Sequence, residues 1–578
     1  MATLFRLSLV AMLAVLTPPA AASQAAPTAQ SPPDLLPDVK TEEGLRKALD
    51  PIEARYESAC VRMNEARWRL VTSPDDAGGE GLRGLETARS ELAAVFADSA
   101  LDRVLAIWTR RTTVTRDPGL TRRVNLWVRS RAAAAIELQP AIFSLTNDLA
   151  GRVAHHRFSF DGRELTLQEL RRVVASHPDR ETRRKAWMAE AQFAAELRPD
   201  AAKLIRMRAL EAQRTDARYF HRLIFQGRSV DDYWSYAMMQ QAAARTKQGY
   251  ETLAASLRSE AGLETLEPWD LEYALSQRTK HRAPGGGLDA AISAAFPAGG
   301  ALAAAGRLLK ALGFEAEKIP QRTSELRLGF SPAFSMAIRI PTDERLVVDA
   351  PAAEGGPRAY ESVLREQGRV LLAAFNRQQS PMLKGYDCVT GTSNGVYAAG
   401  LAGALGDFVR DPVFLRDQLG MDGKWIDRFL EDEQDRSLVR MRTLLADLGF
   451  AFASSVNPDA DIDARYRELN ARSLGTTGGP EGTALWPARL DVIQRPGAAL
   501  DELIGLTISP EVHARLTEEF GDGRLRSGKA ASWLIEHCYA NGELVDLQER
   551  LQQSLHGGMN LDKYLTAPSK PDGKAARP

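Results

Sequence analysis

Beyond residue 41 the chain is written almost throughout in helical periodicity, and this limits its fold more than any other feature. Ile52, Tyr56, Ala59, Met63, Ala66 and Leu70 recur at spacings of four and three, which places them in one apolar stripe on a long helix. Asp50 then Pro51 reads as the N-cap and first turn of that helix, where a missing N–H breaks no bond. Residues 181–213 are rich in Ala, Arg, Glu and Leu, with Trp187, Ala191, Leu204, Met207 and Leu210 as expected core positions. Pro199 is expected to open a new helix there. Residues 231–261 carry a further amphipathic pattern, and His281–Leu288 (HRAPGGGL) reads as a loop. Strand signals are confined to Ser335–Ile340 and Leu346–Val348, bounded by Pro332, Pro341 and Pro351, and they predict a short hairpin or edge sheet. No solenoid period is present. The expected class is mostly α, with one minor sheet in the middle third.

The 578 residues suit three to four domains or one large two-lobed body, at roughly 150 residues per domain. With 44% apolar and 26% charged residues the chain is an ordinary globular one, which excludes wholesale disorder. A net charge of −1 gives no electrostatic case for nucleic acid or an anionic membrane. Cys60, Cys388 and Cys538 are too few for a Cys-rich zinc module, and an odd set leaves at least one unpaired. Residues 1–23 place Arg6 before an apolar run, Leu7–Leu16, and then small residues, the layout of a signal peptide cleaved within Ala22–Ala26. The expected location is secreted or periplasmic; the alternative is an uncleaved anchor. No later stretch reaches about 18 unbroken apolar residues, so no membrane span is expected after cleavage. Residues 24–40 read as a Pro/Ala-rich linker and 566–578 as a disordered tail.

The chemistry concentrates in residues 358–376, RAYESVLREQGRVLLAAFN, where Leu364, Val370, Leu371 and Phe375 suit a buried helix. Within it stands Arg365-Glu366-Gln367-Gly368-Arg369. This segment resembles the active-site helix of the gluzincin zinc peptidases, the group containing angiotensin-converting enzyme, thimet oligopeptidase and oligopeptidase F. Their pattern is H-E-x-x-H, often H-E-x-G-H. Glu366 and Gly368 match it, and both histidines are arginine. Other segments resemble the family in the same order: Thr182–Glu190, Met207–Phe220, Leu266–Asp270 (L-E-P-W-D), Met336–Pro341 with Leu346–Asp349, and Gly403–Asp407 (G-A-L-G-D). The resemblance covers most of residues 41–565. It implies a two-lobed helical zincin-like fold around a deep channel with a small edge sheet, the N-terminal lobe at 41–340 and a degenerate catalytic lobe at 341–565.

Zinc in such a site needs two neutral imidazoles one helical turn apart, a carboxylate from a later helix, and a bound water. Arg365 and Arg369 keep the spacing, but a guanidinium offers no lone pair and stays charged. The third-ligand position implied by the resemblance is Gly403, with Ala399 one turn earlier under a shifted alignment, and no glutamate occurs from 367 to 430. Asp407 is the nearest carboxylate but already fills its own place in the pattern. Residues 490–508 resemble the family's tyrosine-bearing segment, yet Gly497, Ala498 and Ala499 stand near the tyrosine positions and no histidine lies between His281 and His513. Metal ligands and oxyanion donors are thus missing together. Zinc, expected for the family, is not expected here. Glu366 retains the general-base position with no metal-bound water to activate. Two readings of Arg365, Glu366 and Arg369 stay open. They are structural ion pairs, with Glu361 one turn before Arg365, or the arginines hold an anionic ligand or peptide carboxylate.

Gly391-Thr392-Ser393-Asn394-Gly395 also fits G-x-S-x-G, with a strand at Tyr386–Thr390, a helix at Val396–Phe408, and His513, His537 or His556 as base. A serine hydrolase of that kind needs a parallel central sheet, which the sequence does not offer. His155-His156 point apart, Trp187, Trp234, Trp269 and Trp533 read as core, and Arg183-Arg184-Lys185 reads as a solvated helix face. The expected function is a secreted or periplasmic pseudometallopeptidase that binds peptides or a protein partner. The alternatives are an active oligopeptidase-type metallopeptidase with a non-standard site, a serine hydrolase using Ser393, and a structural helical protein with a closed cleft.

Overall fold

Thr41 accepts the backbone N–H of Gly44 and caps the first helix, Glu42–Thr72. The helix therefore begins well before Asp50 and carries Pro51 inside it. Likewise one helix, Arg180–Gln213, runs through Pro199. Both prolines stand on the solvent face. Each removes one backbone donor, while the buried stripes on either side (Leu45, Leu49, Ile52 and Tyr56; Leu197, Ala201 and Leu204) continue in phase. Burial of a continuous stripe outweighs the local break.

The computed structural model describes residues 39–73, 80–109, 115–282, 285–326, 328–329, 331–349, 355–389, 391–392, 395–555 and 563–564. The expected signal peptide, most of the linker and the C-terminal tail lie outside them. Among the described residues no helix is long and apolar enough to cross a membrane.

The chain is mostly helical with two small sheets. Strands β1 (Phe158–Phe160) and β2 (Arg163–Leu165) form a hairpin whose turn residues Asp161 and Gly162 both have positive φ, 53° and 72°, as a type I′ turn requires. The second sheet has the order β3 (Gln321–Leu326), β5 (Asp343–Asp349), β4 (Ala333–Arg339). Strands β4 and β5 are the expected hairpin. Strand β3 pairs parallel with β5 and was not legible, because QRTSEL is polar up to its last residue, Leu326. Helices Leu271–Arg282 and Gly287–Ala295 take in both ends of the expected 281–288 loop.

One large core draws on helices from Ala133 to Leu555 and does not divide at residue 340. The physical reason is that Pro341 lies in the β4–β5 turn, so a boundary there would cut one sheet. A second core joins residues Leu45–Phe143 to Met382–Val389, and the Cys60–Cys388 disulfide staples the two segments. Cys538 is free and buried. Trp187, Trp269 and Trp533 are residues of the large core and Trp234 packs against its outside. Two expectations fail on helix Arg180–Gln213. Leu210 is exposed, and Arg183 is buried against Asp270 at 3.0 Å while Arg184 and Lys185 face solvent. Charge alone did not reveal a partner far along the chain.

Candidate functional site

Helix Pro357–Ala374 starts on Pro357 and buries Val363, Leu364, Gly368, Val370 and Leu371, leaving Arg365, Glu366 and Arg369 partly exposed along one side. Gly368 has no room for a side chain: a Cβ there would lie 2.9 Å from Ala402 Cα. Helix Gly395–Gly406 therefore crosses it closely. On its other side Gly400 meets Ile508 and Gly505 of helix Ala498–Phe520, where a Cβ on Gly400 would fall 2.6 Å from Ile508. Two tight glycine contacts thus stack three helices and bring Arg365, Gly403 and Glu502 together. A Cβ at Gly403 would sit 3.5 Å from Arg365 Nη1.

The side chains there form a closed ionic network. Arg365 Nη2 donates to both Glu502 oxygens at 2.6 Å. Arg440, on helix Gly423–Val456, bridges Glu502 and Glu361 at 2.8 Å each. Arg410 reaches Glu361 at 2.7 Å, Asp407 at 2.6 Å and Glu433 at 3.1 Å. Arg436 lies 3.4 Å from Glu433. Arg369 lies 3.4 Å from Glu366 and 3.8 Å from Glu502. Ser509 donates to Asp407. Each of these arginines has a carboxylate to match it. Burial works to raise the Glu502 carboxyl, but the Arg365, Arg440 and Arg369 charges overcome it and hold it down at about 2. Burial opposes Arg410 and Arg440 at Glu361 in the same way, and the cations again prevail, well below the usual carboxylate range.

Glu366 points at the edge strand β4. Its Oε2 accepts the Ser335 backbone N–H at 3.0 Å and the Ser335 hydroxyl at 2.5 Å. Ser335 N–H therefore faces away from β5, and Ala337, two residues on, shares that direction. The Ala337 carbonyl accepts Asn64 Nδ2 of the first helix at 2.9 Å. Two backbone groups on the outer edge of β4 are thus held by the chain's own side chains.

The residues present do not fit a zinc ion. Arg365 and Arg369 have no lone pair to give, Gly403 has no side chain, and the carboxylates nearby are already paired with guanidinium. Among the described residues no group of three or more His, Cys, Asp and Glu is placed to hold a metal. At the expected oxyanion segment Gly497 has φ 110°, and a Cβ would lie 2.5 Å from Ile224, so no tyrosine fits there in this arrangement. His513 Nε2 is 2.8 Å from the Ala404 carbonyl, and His537 Nδ1 is 3.0 Å from that of Trp533. Ser393 and His556 lie outside the described residues. Residues 386–389 are not a strand, and among the described residues the only sheets are the two small ones above, so the central parallel sheet of a serine hydrolase is not present there. His155 is exposed and His156 stacks on Phe193. The residues missed by sequence reading are Glu502, Arg440 and Arg410, the partners that close the network.

No family model and no curated protein matches the chain. Solved structures do. Metallocarboxypeptidase 1 of Trypanosoma cruzi aligns with a TM-score of 0.58 at 10% identity, over 90% of this chain and 98% of that one. The M32 carboxypeptidase of Deinococcus radiodurans R1 aligns with a TM-score of 0.58 at 14% identity, over 90% and 97%. A protein described as an oligoendopeptidase F aligns with a TM-score of 0.62 at 13% identity, over 91% of each chain. The fold is that of these peptidases, along nearly the whole chain.

Proposed function

We propose that this chain is a non-catalytic protein on a zinc-peptidase fold, a pseudometallopeptidase that acts by binding a peptide or a protein partner outside the cytoplasm. The observation that carries this reading is the Arg365–Glu502 fork beside Gly403. Hydrolysis by a metal-activated water needs a cation held by neutral and anionic donors. Here the corresponding helix face presents fixed cations, each already matched by a carboxylate. Glu366, at the general-base position of the resemblance, accepts two hydrogen bonds from Ser335 and faces Arg369. It is spent on holding the edge strand.

The occupied groups on β4 favour a folded partner over an extended peptide, because strand addition needs free edge amides and carbonyls. The signal-like pattern of residues 1–23 and the Cys60–Cys388 bridge support an oxidising compartment. Incubation of the purified protein with a mixed peptide library, with and without added Zn²⁺, tests the reading. New peptide termini that vanish with a chelator would reject it; an unchanged library is the expected result.

A further inference from the structure

The outer edge of β4 is occupied unevenly. Along an antiparallel pair, residues that exchange both backbone bonds with the neighbour alternate with residues whose N–H and C=O turn away from it. Ser335 lies opposite Leu346 and Ala337 opposite Glu344. Ser335 N–H is bonded to Glu366 and the Ala337 carbonyl to Asn64 Nδ2. Glu344 N–H goes to the Pro320 carbonyl at 3.0 Å, on the β3 side. Both pairs are therefore of the second kind. The Ser335 carbonyl and the Ala337 N–H share the outward direction, and neither has a hydrogen-bond partner among the described residues. Ser335, Met336 and Ala337 are each partly exposed.

The open stretch is short. Upstream, the Ala333 carbonyl, which also faces outward, accepts the Ser331 hydroxyl at 2.7 Å. Downstream, the register slips at a bulge between Ala337 and Arg339, and Ile340 N–H donates to the Tyr386 hydroxyl at 3.0 Å. What is left is an acceptor just before Met336 and a donor just after it. A parallel neighbour bonds both from one residue, the one facing Met336, and its chain can turn away on either side. An antiparallel neighbour would reach the same two groups from two residues. It would bring the second backbone group of each against Glu366 or Asn64, where that group finds no partner. We infer that this edge is a docking point for one extended residue of a protein partner, whose chain there runs parallel to β4, with its N–H on the Ser335 carbonyl and its C=O on the Ala337 N–H. The inference deepens the reading of a partner-binding chain and rests on it. Two hydrogen bonds set the register and direction of the partner's segment; they do not make a long ladder.

The probe is the blocked peptide acetyl-Thr-Val-Thr-Val-Thr-amide, carrying a spin label at one end or the other, titrated into the full-length protein and followed by NMR of the backbone amides. Binding should be weak and saturable. The N-terminal label should broaden amides near Ala333 and the C-terminal label those near Arg339, the parallel pattern. Ala337→Pro removes the free donor at an edge position, where proline is tolerated. It should weaken binding about five- to tenfold, the worth of one net hydrogen bond. Asn64→Ala frees the Ala337 carbonyl, so that Ala337 can exchange both bonds with an antiparallel residue, and the label pattern should shift toward the reverse. In the wild type the Ala337 amide should exchange with solvent faster than the Ser335 amide, and slow when peptide is added. None of these readouts involves zinc or hydrolysis, so the docking point and the non-catalytic reading fail separately. The docking point is overturned by the absence of saturable binding, by a reversed or evenly mixed label pattern in the wild type, by an unchanged pattern in Asn64→Ala, or by a folded Ala337→Pro variant that binds as tightly as before.

Discussion

Arg365 and Glu502, 137 residues apart in the chain, meet through a single guanidinium nitrogen that lies 2.6 Å from each carboxylate oxygen. Both side chains are largely buried, at 13% and 24% exposure. The pair ties helix Pro357–Ala374 to helix Ala498–Phe520 on the far side of the glycine helix between them.

Removing one partner of such a pair leaves an uncompensated charge. Glu502→Gln strands Arg365 and part of Arg440, and should destabilise the protein by about 3 kcal/mol, the low end of the range for a buried pair because some solvent still reaches it. Replacing both ends, as Arg365→Met with Glu502→Leu, should cost less than Glu502→Gln alone. Denaturant unfolding of the variants checks the order. Equal stability of Glu502→Gln and the wild type would show that the pair is merely superficial.

The acid limb of stability follows from the same cations. Glu361 and Glu502 are held below their unfolded values, Glu502 at about 2. Their contribution is fully present above about pH 4.5 and is lost as pH falls through the folded values. Thermal stability should therefore fall steeply between about pH 4.5 and 2, and less steeply in Glu502→Gln. A parallel pair of curves would contradict this.

How much of this was legible in the sequence depends on the range of each contact. Helical stripes are local, and they predicted the helices around Tyr56, Trp187 and Met238. Pro51 and Pro199 misled because a proline's local cost was weighed without the buried residues on both sides of it. The β4–β5 hairpin was legible from its flanking prolines; β3 was not, since a polar edge strand carries no alternation. At the site, Arg365, Glu366, Arg369 and Gly403 could be picked out by their match to a motif, and the structure brings Gly403 beside Arg365. Glu502 stands inside the 490–508 segment, whose resemblance marks tyrosine positions and not this residue. Nothing in its local pattern marks it as the partner of an arginine on another helix.

Glu344 offers the opposite pH dependence. It is fully buried in β5, and neither carboxylate oxygen has a hydrogen-bond partner. Burial and the nearby Asp343 charge raise its pKa well above the usual range. The contribution of the neutral carboxyl is present below about pH 4.5 and is lost as pH rises through the folded value. Glu344→Gln should therefore match the wild type near pH 4 and exceed it in melting temperature by a margin that widens toward pH 8. A margin that does not change with pH would count against a buried neutral acid.

The disulfide and the lone thiol can be separated chemically. Cys60→Ser with Cys388→Ser removes a bridge across 328 residues and should cost about 2–5 kcal/mol. Burial pushes the Cys538 thiol up to about 12, so a maleimide should leave the native wild-type protein unlabelled and attach once after denaturation without reductant. Labelling of the native protein would show that the bridge or the burial is wrong.

Rebuilding the ligand set tests the position of the helices. Arg365→His and Arg369→His place imidazoles one turn apart, and Gly403→Glu grows a side chain into space that Arg365 has vacated. The triple variant should take up Zn²⁺, seen by equilibrium dialysis, at some loss of stability from the unpaired Glu502. A folded triple variant with no zinc affinity would place Gly403 outside the ligand geometry.

Metal analysis of the untouched protein, purified without chelators and assayed in parallel for peptide hydrolysis, bears most directly on the reading of this site. Fixed guanidinium charge beside Glu366 predicts substoichiometric zinc and no chelator-sensitive turnover. Stoichiometric zinc that leaves with a chelator and takes hydrolytic activity with it would contradict the account.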